Sequence, residues 1–345
     1  MPRRRGDGHR VIRWLWTSPR FGARTARAAL LPASGLWRAG MSLRTLAFRR
    51  GWLATREMPL PTVGIGNLTV GGSGKTPLAG WVAAHYLAQG HRPAILLRGV
   101  GGDETLVHRE ALPGAIVVPN PDRHAGANEA LLLGADVLVL DDAFQRLDVA
   151  RDFNICVVSA ETRRAVRWPL PAGPWREGTG ALARADALIV TRKRADLATA
   201  EAVAAEFGPL VAGPTAIARL DLSVLRGLVS GSERPVSSLA GTRVVAASAI
   251  ADPDAFVAQL KRTGAQVQVA TWKDHHQFRD EDVAWLAHAV RRADHVVMTA
   301  KDAVKLRHRW PASVPEPLVA ALSVTFESGE ASLKEALDLI VARIS

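Results

Sequence analysis

From residue 59 onward, short apolar runs alternate with stretches whose apolar positions recur at helical spacing. The runs at 61–67, 94–98, 115–118, 137–140, 154–159 and 187–191 are rich in Val, Ile, Leu and Ala. A strand buried on both faces reads as a nearly unbroken apolar run, as these do. Residues 77–89 and 125–133 read as helices between them. Alternating strands and helices predict an α/β fold with a mostly parallel sheet and helices on both faces. A Gly/Ser/Pro-rich stretch at 227–238 reads as a linker. Beyond it, strands at 243–247, 267–271, 295–299 and 318–324 and helices at 253–263, 280–291 and 331–342 predict a smaller α/β unit. The expected organisation is an arm over 1–58, a main domain over 59–230 and a smaller domain over 231–345.

The arm has a different pattern. Trp14, Trp16, Phe21, Leu30, Leu31, Leu36, Trp37, Leu43, Leu46, Phe48 and Trp52 are interleaved with Arg, and Pro19 and Pro32 are expected to divide it into short helices. Charge sharpens the division. Residues 1–58 hold 13 Arg, no Lys and two acids, Asp7 and Glu57, so the whole net charge of +11 lies there. The remaining residues balance 31 bases against 31 acids. A neutral body argues against a nucleic-acid partner, whose footprint is a basic face. Two readings of the arm stand: an amphipathic segment on an anionic membrane surface, with Arg at the headgroups and Trp at the boundary, or a helix pair packed on the body.

Composition narrows the class further. An apolar content of 48% over 345 residues supports a sizeable core and excludes general disorder. One cysteine, Cys156, excludes a disulfide framework; it lies in an apolar run and reads as core. No apolar run reaches the length of a spanning helix. The basic start resembles the first region of a secretory signal, but Arg13 interrupts the apolar stretch and no clean cleavage site follows.

The strongest chemical signal is GNLTVGGSGKTP at 66–77, after a predicted strand and before a predicted helix. That context is the one a P-loop needs. Gly71, Gly72, Ser73 and Gly74 would turn backbone N–H groups onto phosphate oxygens, Lys75 would reach the β/γ-phosphates, and the Thr76 hydroxyl would face Mg²⁺. Thr69 stands where the strict pattern has Gly. The apolar run at 137–140 ends in Asp141 and Asp142, the placement of a carboxylate metal partner beside a P-loop, with either residue as the ligand. The pairing points to ATP-Mg²⁺ and a P-loop NTPase-like sheet. Gln145 reads either as a phosphate or metal-water contact or as a cap of the turn.

The order of motifs resembles the tetraacyldisaccharide 4′-kinases of lipid A synthesis. Similar strings are GNLTVGGSGKTP, LLRGVGGDE at 96–104, PDR at 121–123, DDAFQRLDVARD at 141–152, LPAGPWRE at 170–177, DHHQF at 274–278 and TAKDAVKL at 299–306. Val100, Thr105, Ala143, Arg146 and Ala300 depart from the family pattern, and the insertion often found between Gly102 and Asp103 is absent. The resemblance implies transfer of the ATP γ-phosphoryl group to the 4′-hydroxyl of a glycolipid, tetraacyldisaccharide 1-phosphate, by a peripheral enzyme on the cytoplasmic face of the inner membrane. It implies Asp103 as base with His275 beside it, in preference to His276, and Arg123 and Arg176 as cations near the transferring group. Lys301 and Asp302 match family positions and also suit a charged turn. The rival from another class is a membrane-docked NTP switch, which needs the P-loop, Asp141–Asp142 and the arm but not Asp103 with His275.

Overall fold

The computed structural model describes residues 7–99 and 102–342. Val100, one of the departures noted above, lies outside them. In chain order the elements are α1 (Asp7–Thr17), α2 (Phe21–Arg49), β1 (Thr62–Asn67), α3 (Lys75–Ala88), β2 (Pro93–Leu97), α4 (Asp103–Ala111), β3 (Ile116–Pro119), α5 (Arg123–Leu132), β4 (Val137–Asp141), β5 (Phe153–Ser159), β6 (Ala187–Arg192), α6 (Leu197–Phe207) and β7 (Thr215–Gly227). They continue as β8 (Glu233–Pro235), β9 (Arg243–Ser248), α7 (Pro253–Arg262), β10 (Gln266–Thr271), α8 (Asp280–Val290), β11 (His295–Thr299), α9 (Ala300–Leu306), β12 (Leu318–Ser328) and α10 (Glu330–Ala342).

The chain forms two compact units. The larger takes Val11–Arg219 and the chain from Val324 onward; the smaller is built on Leu220–Ser323. These units differ from the expected domains 59–230 and 231–345. The boundaries fall inside β7 and β12, and the stretch 227–238 read as a linker holds the turn and second strand of an antiparallel β7–β8 hairpin. The C-terminal helix α10 belongs to the larger unit, where Leu333, Leu337 and Ile340 pack with Val82, Tyr86 and Val63.

In the larger unit the strand order is β7-β6-β5-β1-β4-β2-β3, and every pair is parallel. Strands β1, β2, β4 and nearly all of β5 are buried along their lengths, as the near-continuous apolar runs of β2 and β4 require. One face is covered by α3 and α10 around Val63, Ile65, Leu78, Val82 and Tyr86. The other face is covered by Leu68, Phe144, Trp175 and Leu182. The chain builds β2, β3 and β4 on one side of β1, then crosses to build β5, β6 and β7 on the other. The carboxyl end of β1 is therefore a topological switch point, where open α/β sheets bind ligands.

The smaller unit has a parallel run β10-β9-β11-β12. Val245, Met298, Leu286 and Leu306 pack one cluster; Phe256, Leu260, Val244 and Val297 pack a second.

Pro19 does separate α1 from α2, but Pro32 does not end a helix: it lies inside α2, which is 29 residues long. Packing overrides the local cost of a proline. Buried Arg27 donates to the carbonyls of Leu15 and Ser18 at 2.6 and 2.9 Å, closing the turn between the helices. Ser34 Oγ donates to Pro169 O and accepts from Ala172 N, each at 3.0 Å. Trp16 and Trp37 donate from Nε1 to Pro171 O and Arg176 O at 3.0 and 2.9 Å. The helix pair is therefore docked on the LPAGPWRE segment. Its other side leaves Phe21, Leu36 and Leu43 at 81, 76 and 62% exposure. Among the described residues, no helix is long and apolar enough to cross a membrane.

Candidate active site

The P-loop joins β1 to α3 and is held in shape from several sides. Asn67, fully buried, donates from Nδ2 to Thr69 O at 2.7 Å and to Ser73 Oγ at 2.9 Å. Thr191 Oγ1 donates to Ser73 O, and Lys193 Nζ to Gly72 O, both at 2.7 Å. Gly71 and Gly74 have φ of 127° and 94°, a region costly for any side chain. Gly66 answers a different need: a Cβ there would stand 2.5 Å from the backbone N of Phe144. Thr69 explains its own departure from the strict pattern. It makes an antiparallel bridge with Trp175, an extended conformation that does not call for glycine. The loop thus presents its backbone at the amino end of α3, where the helix dipole favours an anion.

Lys75 and Thr76 open α3. Lys75 Nζ lies 3.5 Å from Asp142 Oδ1, and Arg176 NH1 lies 3.2 Å from the same oxygen. Asp142 has φ of 55°; His275 has 56°. They are the only non-glycine residues at positive φ among those described, and such backbone costs energy that surrounding structure must offset. Gln145 donates from Nε2 to Asn67 O at 2.8 Å and accepts from Arg176 NH1 at 3.2 Å. It ties the end of β1 to Arg176, while Arg44 of α2 donates to its carbonyl at 2.9 Å.

Asp141 is buried at the end of β4. Its Oδ2 lies 3.4 Å from His108 Nε2, and its carbonyl accepts from Arg123 NH2 at 3.2 Å. Arg123 also donates to Asn120 O at 3.0 Å and is buried, so its guanidinium braces the end of β4 at Asp141. Burial, with Arg146 nearby, pushes its pKa down to about 10, against the pull of Asp141 and Asp142. Arg146 itself pairs with Asp148 through two bonds at 3.0 and 2.7 Å. Asp103 is the first residue of α4, after Gly102 at φ 71°, and it is buried. Asp103 lies in the larger unit and His275 in the smaller.

Within the smaller unit the two histidines of the DHHQF motif have different surroundings. His276 Nε2 is 2.8 Å from Asp282 Oδ2, and its ring stacks on Trp272. His275 is half exposed, and its backbone donates to Ala249 O at 3.2 Å. Asp302, fully buried, accepts from Ala249 N at 3.0 Å and from Thr299 Oγ1 at 2.6 Å, so it helps set the loop against which His275 sits. Lys301 precedes it in α9.

Three residues about the site are not singled out by the sequence reading. Lys193 lies in the run Arg192-Lys193-Arg194, which has the composition of a solvated turn. Glu161 binds the backbone N–H groups of Lys193, Arg194 and Ala195, and only the fold joins these positions. His108 falls on a helix that the sequence presents as an acidic turn.

The family model described as LpxK, tetraacyldisaccharide-1-P 4′-kinase, matches residues 26–342. The tetraacyldisaccharide 4′-kinase of Anaeromyxobacter sp. is 35% identical over 96% of this chain and 97% of its own length. That of Pelobacter propionicus is 34% identical over 82% of this chain and 84% of its own. A crystal structure of LpxK from Aquifex aeolicus in complex with ATP superposes with a TM-score of 0.71 at 26% identity, covering 92% of this chain and 99% of that one.

Proposed function

The chain belongs to the tetraacyldisaccharide-1-P 4′-kinase family, and on that premise we propose how its own residues serve the transfer of the γ-phosphoryl group of ATP to the 4′-hydroxyl of tetraacyldisaccharide 1-phosphate. The observation that carries this reading is the convergence of Lys75 and Arg176 on Asp142, beside a P-loop at the switch point of the sheet. Two cations held within 3.5 Å of one carboxylate are placed where a triphosphate brings negative charge. The P-loop amides bind and orient the phosphates; Lys75 and Arg176 offset the charge of the group in transfer.

Thr76 with Asp141 and Asp142 offers a hydroxyl and two carboxylates, the hard oxygen donors that Mg²⁺ takes. Bound there, Mg²⁺ supplies neutralisation of charge on the β- and γ-phosphates. Asp103 serves as the base for the acceptor hydroxyl. A free carboxylate is weakly basic at neutral pH, and the family resemblance assigns His275 as the histidine that supports it. The contrast between a half-exposed His275 and a His276 committed to Asp282 supports that choice. The arm holds the protein on the anionic cytoplasmic face of the inner membrane, where such a lipid is met. Exposed Phe21, Leu36 and Leu43, with exposed Arg24, Arg38 and Arg49, support that role.

The test is incubation with ATP, Mg²⁺ and the glycolipid. Wild type should yield phosphorylated lipid, and Lys75→Ala should lower kcat/KM by about 10²-fold or more, as loss of one charged transition-state contact does. Absence of product, or equal rates for the two proteins, would overturn the reading.

A further inference from the structure

Helix α4 is unusual in what it buries. Its buried side chains are Asp103, Thr105 and His108, while Leu106 points outward at 42% exposure. A nine-residue helix is too short to be stable alone, and packed helices are ordinarily held by an apolar face. Here the inward side chains are polar, so specific polar contacts fix the helix. One of them crosses to β4: His108 Nε2 to Asp141 Oδ2, 3.4 Å, with side-chain exposures of 2 and 4%. With water excluded, such a contact has more influence on geometry than it would at the surface. A second tie, Arg109 NH2 to Val117 O at 3.3 Å, anchors the far end of the helix to β3. Asp141 is therefore held at its carbonyl by Arg123 and at its carboxylate by His108.

We propose that His108 is a positioning residue for phosphoryl transfer: donating from Nε2 to Asp141 Oδ2, it orients the metal-side carboxylate and registers α4, and with it Asp103, against β4. Five residues of helix place Asp103 about 7.5 Å along the axis from His108, so a loosened tether moves the base as well as the carboxylate. Groups that hydrogen-bond a ligating carboxylate orient it, and their loss typically costs about 10–100-fold in metal affinity or activity. The inference rests on the reading of Asp141 as part of the metal site.

Three variants test it. His108→Leu keeps bulk without a donor; His108→Gln keeps an N–H donor near the Nε2 position; His108→Asn keeps one that falls short. Each is assayed for Mn²⁺ binding with a non-hydrolysable ATP analogue, for analogue binding without metal, and for glycolipid phosphorylation. The Leu and Asn variants should bind Mn²⁺ about tenfold more weakly and lose kcat, Gln should stay near wild type, and metal-free analogue binding should be unchanged throughout. If Leu does not fold, the Gln–Asn contrast decides. Wild-type Mn²⁺ affinity in Leu or Asn, or equal losses in Gln and Asn, would overturn the proposal. A wild-type enzyme with no metal-dependent transfer would overturn the reading beneath it instead.

Discussion

At the scale of single residues, the two left-handed positions fall in two motifs for which chemistry is proposed. Asp142 and His275 both stand at φ near 55°, where a side chain is uncomfortable and a glycine would fold more readily. Each keeps a polar side chain at that cost. For the histidine pair this separates stability from catalysis. His276 is bonded to Asp282 and packed on Trp272, so His276→Ala should lower stability by roughly 1–3 kcal/mol, the cost of a lost hydrogen bond to a charged group. His275→Ala should leave the melting temperature within a degree or two, since exposed substitutions rarely exceed about 0.5 kcal/mol, yet lower kcat as Asp103→Ala does, with ATP affinity kept. Thermal melts and kcat measured on both variants check this; loss of kcat confined to His276→Ala would reverse the assignment. The P-loop and the Asp141–Asp142 pair stand out because each lies within a short string whose order carries meaning, whereas Asp103 is singled out by the family resemblance alone. Lys193, Glu161 and His108 do not stand out, because their partners lie 32 to 121 residues away in sequence.

At the scale of elements, strands were legible where both faces are buried, since the apolar run is then the strand itself. Strand β7 was missed because alternate residues face solvent along part of its length, which reads as an irregular segment. Helix α2 was divided wrongly at Pro32, since local propensity says nothing of the hydrogen bonds that Ser34 and Trp37 make with a loop more than 130 residues away. The loop after β6 is a further case of order imposed from a distance. Glu161 accepts from three successive backbone N–H groups of this loop and from the Ser159 hydroxyl. Burial alone would raise its pKa; the hydrogen bonds outweigh burial and hold it below the usual carboxylate range. The stability it contributes is therefore present above the unfolded value, about 4.3, and is lost as pH falls through the lower folded value. Glu161→Gln should lower stability by about 1–3 kcal/mol at pH 7, and the gap from wild type should close as the pH approaches 3. Because Lys193 of this loop donates to Gly72 O, ATP affinity should weaken as well. A gap that stays constant from pH 7 to 3, read from denaturant melts, would remove Glu161 as its origin.

At the scale of the whole molecule, the charge excess and the docked arm pose one problem. All of the net +11 sits in the first 58 residues, yet α2 is no free tail. Ala23, Arg27 and Ser34 recur along one side of the helix and are buried; Leu36 and Leu43, seven apart, lie on another side and are exposed. The two readings of the arm are therefore compatible, because each calls on a different face of one helix. Deleting 1–58 would also strip the cover from residues 169–176, next to Arg176, so loss of activity in a truncation would not report on membrane binding. Substitution on the outer face does. Leu36→Glu with Leu43→Glu removes two apolar anchors, each worth roughly 1.5–3 kcal/mol when fully buried in the acyl boundary, and adds repulsion from anionic lipid. The double variant should bind phosphatidylserine-containing vesicles at least tenfold more weakly in a flotation assay, while its turnover of detergent-dispersed glycolipid stays near wild type. Wild-type binding should itself fall as NaCl rises from 0.1 to 0.5 M, since screening shortens the reach of Arg24, Arg38 and Arg49 toward the headgroups. Binding unchanged by both the substitutions and the salt would leave the basic arm as a structural brace on the LPAGPWRE segment alone.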